Sequence, residues 1–125
     1  MNPRLGQAAF RALILAAYGR RCSVTGERTL PVLEAAHIRR YSSSGDHSLK
    51  NGLLLRSDLH RLFDGGYIGI DPQRDCIMVS ARIREEFENG RDYYALQGMP
   101  LHRPLDPRDG PGRENLLYHA ENIFR

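Results

Sequence analysis

A histidine and an aspartate stand four positions apart in the segment SDLHRLFDGG, at His60 and Asp64. Ser57 is a good helix N-cap and Asp58 suits the positive end of a helix dipole, so the segment predicts a short helix. Residues at i and i+4 share one face of a helix, so this imidazole and carboxylate can bind one divalent ion together. Such a pair suits Mg²⁺, Mn²⁺, Zn²⁺ or Ni²⁺ without choosing among them.

A second histidine and an asparagine precede that helix. His37 lies at the end of the apolar run PVLEAAHI at residues 31–38, which is short enough to be a strand. Residues 39–50 follow as a polar loop, and a loop of this length in a small domain is usually functional or disordered. Asn51-Gly52 marks a tight turn into a second strand at residues 53–55.

These elements make one strand, loop, strand and helix unit. Gly65 and Gly66 are expected to end the helix, because glycine readily takes the left-handed conformation of a helix C-terminus. The unit spans about 35 residues, which is too small to be stable alone. The remaining chain is therefore expected to pack against it.

The unit resembles the HNH endonuclease motif, the ββα-metal finger. The chain from Phe10 to Phe124 is similar to the HNH domain found at the C-terminal end of restriction endonucleases, through FRALILAAYGRRCSVTGE, LEAAHI, NGLLLRSDLHRLFDGGYI and LLYHAENIF. Fourteen positions separate His37 from Asn51 and nine separate Asn51 from His60, as in that family. The resemblance implies an α+β fold: a ββα-metal (HNH) core at about residues 30–66, an added β-hairpin and flanking helices at both termini, within a single domain at 1–125.

The resemblance also implies a role for each of the four residues. His37 takes the place of the general base, for which an ordinary pKa of about 6.5 is suitable, and Asn51 that of the amide that pins the loop. His60 takes the place of a metal ligand, and Asp64 falls where some members carry a second one. The implied activity is metal-dependent cleavage of DNA by a one-metal mechanism, giving 5′-phosphate and 3′-hydroxyl ends, in restriction or defence. One divalent ion is the expected cofactor, with Mg²⁺ preferred and Mn²⁺, Ni²⁺ or Zn²⁺ as alternatives.

The sequence departs from the common family pattern at Ala36. Many HNH enzymes carry Asp or His immediately before the general base and use it as a metal ligand, whereas alanine cannot coordinate an ion. Either Asp64 substitutes for that ligand, which we prefer because of its spacing from His60, or the metal site is weakened. Glu34, on the same predicted strand face as Ala36, is a less favoured third ligand. The alternative function is therefore a catalytically weak or inactive HNH-fold module that binds nucleic acid.

Basic residues surround the predicted site. The chain has 18 Lys and Arg against 15 Asp and Glu, which favours a polyanionic partner without requiring one. Arg39, Arg40 and Arg61 are the predicted DNA-phosphate contacts, and Lys50 and Arg56 complete the cluster. No zinc finger or helix-turn-helix is visible to read base edges. An upstream domain or a partner subunit is therefore expected to supply recognition, and the sequence leaves the oligomeric state open.

The rest of the chain predicts scaffold. Residues 4–19 predict a helix whose inner face carries Leu5, Ala9 and Leu13, and residues 67–70 and 76–79 predict a hairpin. Ser80 is expected to cap a helix to about residue 88, residues 89–113 to form an extended loop, and residues 114–124 a last helix. Without a signal peptide or a run of eighteen apolar residues, a cytoplasmic protein with no membrane contact is expected.

Four further residues are assigned no chemistry. Cys22 and Cys76 are too few for a four-cysteine zinc site and are predicted to be buried thiols. His47 is predicted to be an exposed loop histidine, with a second metal ligand or a phosphate contact as the less favoured alternatives, and His119 is predicted to make a structural hydrogen bond.

Overall fold

The computed structural model describes residues 3–40 and 46–125. Its α-helices are α1 (Pro3–Ala17), α2 (Ser57–Asp64), α3 (Arg82–Phe87), α4 (Arg91–Tyr94) and α5 (Arg113–Asn122). Its strands are β1 (Leu33–His37), β2 (Gly52–Arg56), β3 (Ile68–Ile70) and β4 (Ile77–Val79). Short 3₁₀ turns lie at Leu30–Val32, Leu49–Asn51 and Pro107–Asp109. The combination of helices with two small antiparallel sheets confirms the predicted α+β class.

The predicted unit of strand, loop, strand and helix is present. β1 and β2 pair antiparallel, with Leu33 opposite Arg56 and His37 opposite Gly52. His37 is the last residue of β1, and α2 begins directly after β2. Both α1 and α2 contact the two strands, so this small sheet is covered by helices.

The buried face of α1 differs from the prediction. Phe10 and Ile14 are buried, whereas Leu5 and Leu13 are 66% and 41% exposed. The predicted face was wrong by one position because the run AAFRALILAA is apolar around most of the helix, so its period does not select a side. Gly52 opposes the buried face, where an added Cβ would overlap the side chain of Ile14. Glycine at this position therefore allows α1 to approach β2 closely.

The ends of α2 also differ in detail from the prediction. Ser57 is the first helical residue rather than the cap, and Arg56 in the cap position makes no side-chain cap hydrogen bond. Arg56 instead pairs with Asp58 in the first turn, through hydrogen bonds of 2.7 and 2.9 Å. After the helix Gly65 stays right-handed, and only Gly66 takes a positive φ of 79°. The helix therefore begins one residue earlier than predicted, and its first turn carries an Arg56–Asp58 ion pair in place of a serine cap.

The remaining elements follow the predicted order. β3 and β4 form the predicted antiparallel hairpin, and the hydroxyl of Ser80 accepts a hydrogen bond from the backbone N–H of Arg82 at 3.1 Å. The segment predicted as an extended loop at residues 89–113 contains α4 and the turn Pro107–Asp109. Cys22 is buried as predicted, but Cys76 is only half-buried, because it lies at the edge of the hairpin in a bridge to Pro100. Within the described ranges, no helix is long and apolar enough to cross a bilayer.

Candidate active site

Asn51 joins the two ends of the segment between β1 and β2. Its side chain is buried, and its Oδ1 accepts a hydrogen bond from the backbone N–H of Arg39 at 2.8 Å. Its Nδ2 donates to the carbonyls of Arg39 and Asp46 at 2.9 and 2.8 Å. One amide thus satisfies backbone groups on both sides of the loop and holds the end of β1 in place. Residues 41–45 of the predicted loop lie outside the described residues.

His37 is held on its ring face and on its ring edge. The Phe10 ring stacks on it with centroids 4.0 Å apart and planes 5° from parallel. At the edge, Nε2 of His37 lies 3.0 Å from Nδ1 of His47. Burial, and then the charge of His47, lower the pKa of His37 from its ordinary value of 6.5. The imidazole is therefore neutral near pH 7 and fixed in orientation, as a general base must be.

The contact of His47 with His37 is the feature of this centre that the sequence prediction missed. The prediction of an exposed loop histidine was wrong, because His47 is half-buried and its ring lies beside those of Phe10 and His37. Asp46 fixes the backbone next to it by accepting hydrogen bonds from the N–H and hydroxyl of Ser48 at 3.0 and 2.6 Å. The position of His47 in the loop that returns from His37 to β2 is the one sequence feature that could have indicated its contact with His37.

His60 and Asp64 are adjacent on α2, and a third residue joins them. Nε2 of His60 lies 3.2 Å from Oδ2 of Asp64, and Nδ1 lies 2.8 Å from Oε1 of Glu34 on β1. The hydrogen bond to Asp64 is the main cause that raises the pKa of His60, against an opposing effect of burial, and Glu34 adds to the rise. Charges on Asp64 and His60 also act on His37, so this cluster lies within electrostatic reach of that imidazole.

The separation of the His60 and Asp64 donor atoms suits a shared metal ion. Two ligand atoms each about 2.1 Å from one ion, at an angle of about 90–110°, are about 3.0–3.4 Å apart. The observed 3.2 Å falls in that interval. In the part of the chain that the structure describes, no group of three or more His, Cys, Asp or Glu is arranged to hold an ion. The described residues thus offer one imidazole and one carboxylate as candidate ligands, a pair that suits Mg²⁺, Mn²⁺, Zn²⁺ or Ni²⁺ without choosing among them.

Ala36 belongs to the core. It is fully buried, opposite Leu53 in the register of β1 and β2. Its methyl group packs in the hydrophobic cluster, whereas the side chains of Glu34 and His60 are 46% and 24% exposed. Glu34, the carboxylate two residues before Ala36 on β1, contacts His60.

Four of the five predicted cations contact other described groups of the protein. The guanidinium of Arg39 stacks on the ring of Tyr118 at 4.0 Å, and Arg40 donates to the backbone carbonyl of Asp64 at 3.0 Å. Lys50 donates to the carbonyl of Arg108 at 3.0 Å, and Arg56 binds Asp58, whereas Arg61 is exposed on α2. Arg40 thus links the segment after β1 to the end of α2.

His119 makes a structural hydrogen bond. Its Nε2 donates to the backbone carbonyl of Phe63 at 2.8 Å, and its ring stacks on that of Phe63 with centroids 3.7 Å apart. Burial lowers the pKa of His119 from 6.5. This residue therefore anchors α5 to α2 beside the candidate site.

Comparisons with known proteins concern the family and the fold. Residues 22–71 match the sequence family described as HNH endonuclease. A solved structure of a modification-dependent TagI restriction endonuclease is similar over 93% of this chain, with a TM-score of 0.66 and 22% sequence identity. The chain spans 38% of that protein's length, and at this identity the likeness shows the fold. No curated protein sequence matches the chain significantly.

Proposed function

We propose that this chain, whose residues 22–71 match the HNH endonuclease family, is a metal-dependent nuclease that hydrolyses phosphodiester bonds in DNA. The observation that carries the proposal is the placement of two groups. A neutral, oriented imidazole at His37 lies within electrostatic reach of the His60–Asp64 pair, whose donor atoms are 3.2 Å apart. A base and a pair of candidate metal ligands that lie within electrostatic reach of each other are what hydrolysis by one metal ion requires.

In this proposal His37 removes a proton from the attacking water. Its lowered pKa keeps the ring neutral, and Phe10 and His47 fix its plane, so the imidazole is ready to accept that proton. General base catalysis of this kind contributes about 10²–10⁴-fold to a rate. Asn51 acts indirectly, because its three side-chain hydrogen bonds keep the loop closed around the end of β1.

His60 and Asp64 are the proposed metal ligands. A divalent ion held there would stabilise the negative charge that develops on the leaving 3′ oxygen, giving 5′-phosphate and 3′-hydroxyl products. Mg²⁺ is the preferred ion because it is commonly held by one or two carboxylates together with waters and substrate phosphate. Asp64 supplies the ligand that Ala36 cannot, and Arg40 steadies it through its backbone carbonyl.

DNA phosphates are the proposed partners of Arg39, Arg40 and Arg61. Arg39 and Arg40 lie two and three residues after His37, and Arg61 follows His60 on α2, so all three are close in sequence to proposed catalytic or metal-binding residues. The stacking of Arg39 on Tyr118 lowers the entropy lost when the guanidinium binds an anion. Residues 1–125 are proposed to form one domain. The likeness to a modification-dependent restriction endonuclease supports a role in restriction, with recognition supplied by another domain or subunit.

Plasmid nicking tests this function. The purified protein is incubated with supercoiled DNA in EDTA, Mg²⁺, Mn²⁺, Ni²⁺ or Zn²⁺, beside His37→Ala, Asp64→Ala and the control Glu121→Ala, which changes an exposed residue of α5. We expect metal-dependent nicking by the wild type and the control, lost in the other two variants. Salt-sensitive DNA binding without cleavage in any metal would instead support a module that only binds nucleic acid. Ala36 favours that alternative, because alanine cannot coordinate an ion.

A further inference from the structure

We infer that Glu34 is a positioning residue of the metal site, whose carboxylate holds the Nδ1–H of His60 and thereby directs Nε2 to the ion shared with Asp64. This inference rests on the proposed metal-dependent function and deepens it. From the sequence, Glu34 was expected only as a less favoured direct ligand of the ion.

The contact itself has the geometry of a strong hydrogen bond. Oε1 of Glu34 lies 2.8 Å from Nδ1 of His60, the ordinary length for an N–H donor and a charged oxygen. The two residues are 26 positions apart and belong to β1 and α2. The hydrogen bond therefore fixes the ring of the proposed ligand against the sheet that also carries His37.

The arrangement of the two carboxylates separates their roles. Glu34 and Asp64 lie at different nitrogens of the same imidazole, and the lone pairs of those nitrogens diverge. One ion cannot bind His60 together with both carboxylates while the ring stays in place. Both contacts are within hydrogen-bond length, but only the 3.2 Å contact to Asp64 also falls in the interval for two ligands of one ion.

A carboxylate in this position has a known physical effect on a metal ligand. A histidine that binds a metal through one nitrogen usually donates its other N–H to a carboxylate, carbonyl or water. The partner fixes the tautomer and raises the basicity of the ligating nitrogen, and its loss typically costs about 10–100-fold in metal affinity. Because Ala36 offers no ligand, the affinity of this site depends strongly on the orientation of His60.

Metal affinity is the first test, and it does not require cleavage. Mn²⁺ is titrated into the full chain without DNA and followed by electron paramagnetic resonance, for the wild type, Glu34→Ala, Glu34→Gln, Asp64→Ala and the control Glu85→Ala on the exposed side of α3. We expect a loss of about 10–100-fold for Glu34→Ala. Glu34→Gln should lose less, because its amide oxygen still accepts the Nδ1–H, and Glu85→Ala should match the wild type.

The second test measures the tautomer of His60. If Glu34 had a purely structural role, its substitution would leave that tautomer unchanged. In the Zn²⁺-loaded protein, long-range ¹H–¹⁵N spectra should show a proton on Nδ1 and the metal on Nε2. The same pattern should persist in Glu34→Gln and be lost or mixed in Glu34→Ala. Unfolding temperatures measured without metal show whether each variant is folded, and the glutamine variant keeps the test valid if the alanine variant is not.

The outcomes separate this inference from the proposed nuclease function. Wild-type Mn²⁺ affinity in folded Glu34→Ala would overturn the inference, even if plasmid nicking succeeds. Loss of affinity in Glu34→Ala but not in Asp64→Ala would also overturn it, because Glu34 would then be the ligand. A wild-type protein that binds no metal contradicts both ideas. A metal site weakened by Glu34→Ala in a protein that does not nick DNA supports the inference and contradicts the nuclease.

Discussion

Nε2 of His37 and Nδ1 of His47 lie 3.0 Å apart, across the segment that joins the two strands of the ββα core. Two imidazoles at this distance share one hydrogen bond, so the tautomer of one ring sets that of the other. With Phe10 stacked on its face, the His37 ring has little freedom to rotate. The proposed base is therefore oriented by a helix on one side and a loop on the other.

We expect His47→Ala to slow DNA cleavage by up to about 10²-fold, the lower end of what a general base contributes, because the proposed base loses its orienting partner but keeps its basic nitrogen. His47→Gln, whose amide can still bond to His37, should lose less. Single-turnover cleavage at saturating Mg²⁺ measures the effect, with the unfolding temperature as a control for folding. Equal single-turnover rates for wild type and His47→Ala would contradict the assigned role.

The pH dependence of cleavage should reflect the lowered pKa of His37. Burial and the charge of His47 both disfavour the protonated ring, so it stays neutral to lower pH than a histidine in water. We expect the acid limb of kcat/KM, which reports the free enzyme, to have its midpoint below 6.5 and to move up in His47→Ala. A midpoint above 6.5 in the wild type would contradict this prediction.

Removal of the Asn51 side chain should destabilise the protein and stop cleavage. In Asn51→Ala the backbone groups of Arg39 and Asp46 lose their partners. A buried polar group left unpaired costs about 1–3 kcal/mol. Urea denaturation should show a loss of that size, whereas Asn122→Ala, at an exposed position, should stay within about 0.5 kcal/mol of wild type. Equal stability of Asn51→Ala and Asn122→Ala would contradict the role of Asn51 in holding the loop.

Stability should fall as the pH drops below about 6.5, partly because of His119. Burial lowers the pKa of this histidine, so below its unfolded value of 6.5 the unfolded chain binds more protons than the folded one. The stabilisation is complete above 6.5 and is lost as the pH falls toward the folded pKa. The pKa of His37 is lowered as well, so wild type alone cannot isolate the effect of His119. His119→Gln is therefore compared with wild type by urea denaturation between pH 7.5 and 5. The variant should have the shallower pH dependence, and equal slopes would exclude a contribution from His119.

Each of the proposed phosphate contacts should contribute to the salt dependence of DNA binding. Arg61→Ala should lower the slope of log K against log salt by about 0.9, the value for one phosphate on duplex DNA. Arg39→Ala should do the same, and its stacking partner Tyr118 remains in place. Arg91→Ala is the control, since its side chain is 90% exposed on α4. Fluorescence anisotropy in EDTA measures binding, and unchanged slopes in both variants would remove these residues from the DNA surface.

Much of the ββα core could be predicted because it is built from short-range signals. The apolar run before His37, the turn at Asn51 and the spacing of His60 and Asp64 each act within a few residues, and the structure has the corresponding strand, turn and helix. The face of α1 could not be predicted, because a helix that is apolar around most of its surface has several faces of similar hydrophobicity. The strand that it packs against selects the face.

The order of elements in the core and the pairing of His60 with Asp64 on one helix follow from the amino-acid sequence, since helix geometry alone places i and i+4 together. The groups that flank the two histidines follow from the folded chain instead. Glu34 reaches His60, and His47 reaches His37, across separations of 26 and ten residues. Such contacts depend on strand register, helix packing and the path of a loop, and these are set by burial over the whole chain rather than by any local pattern.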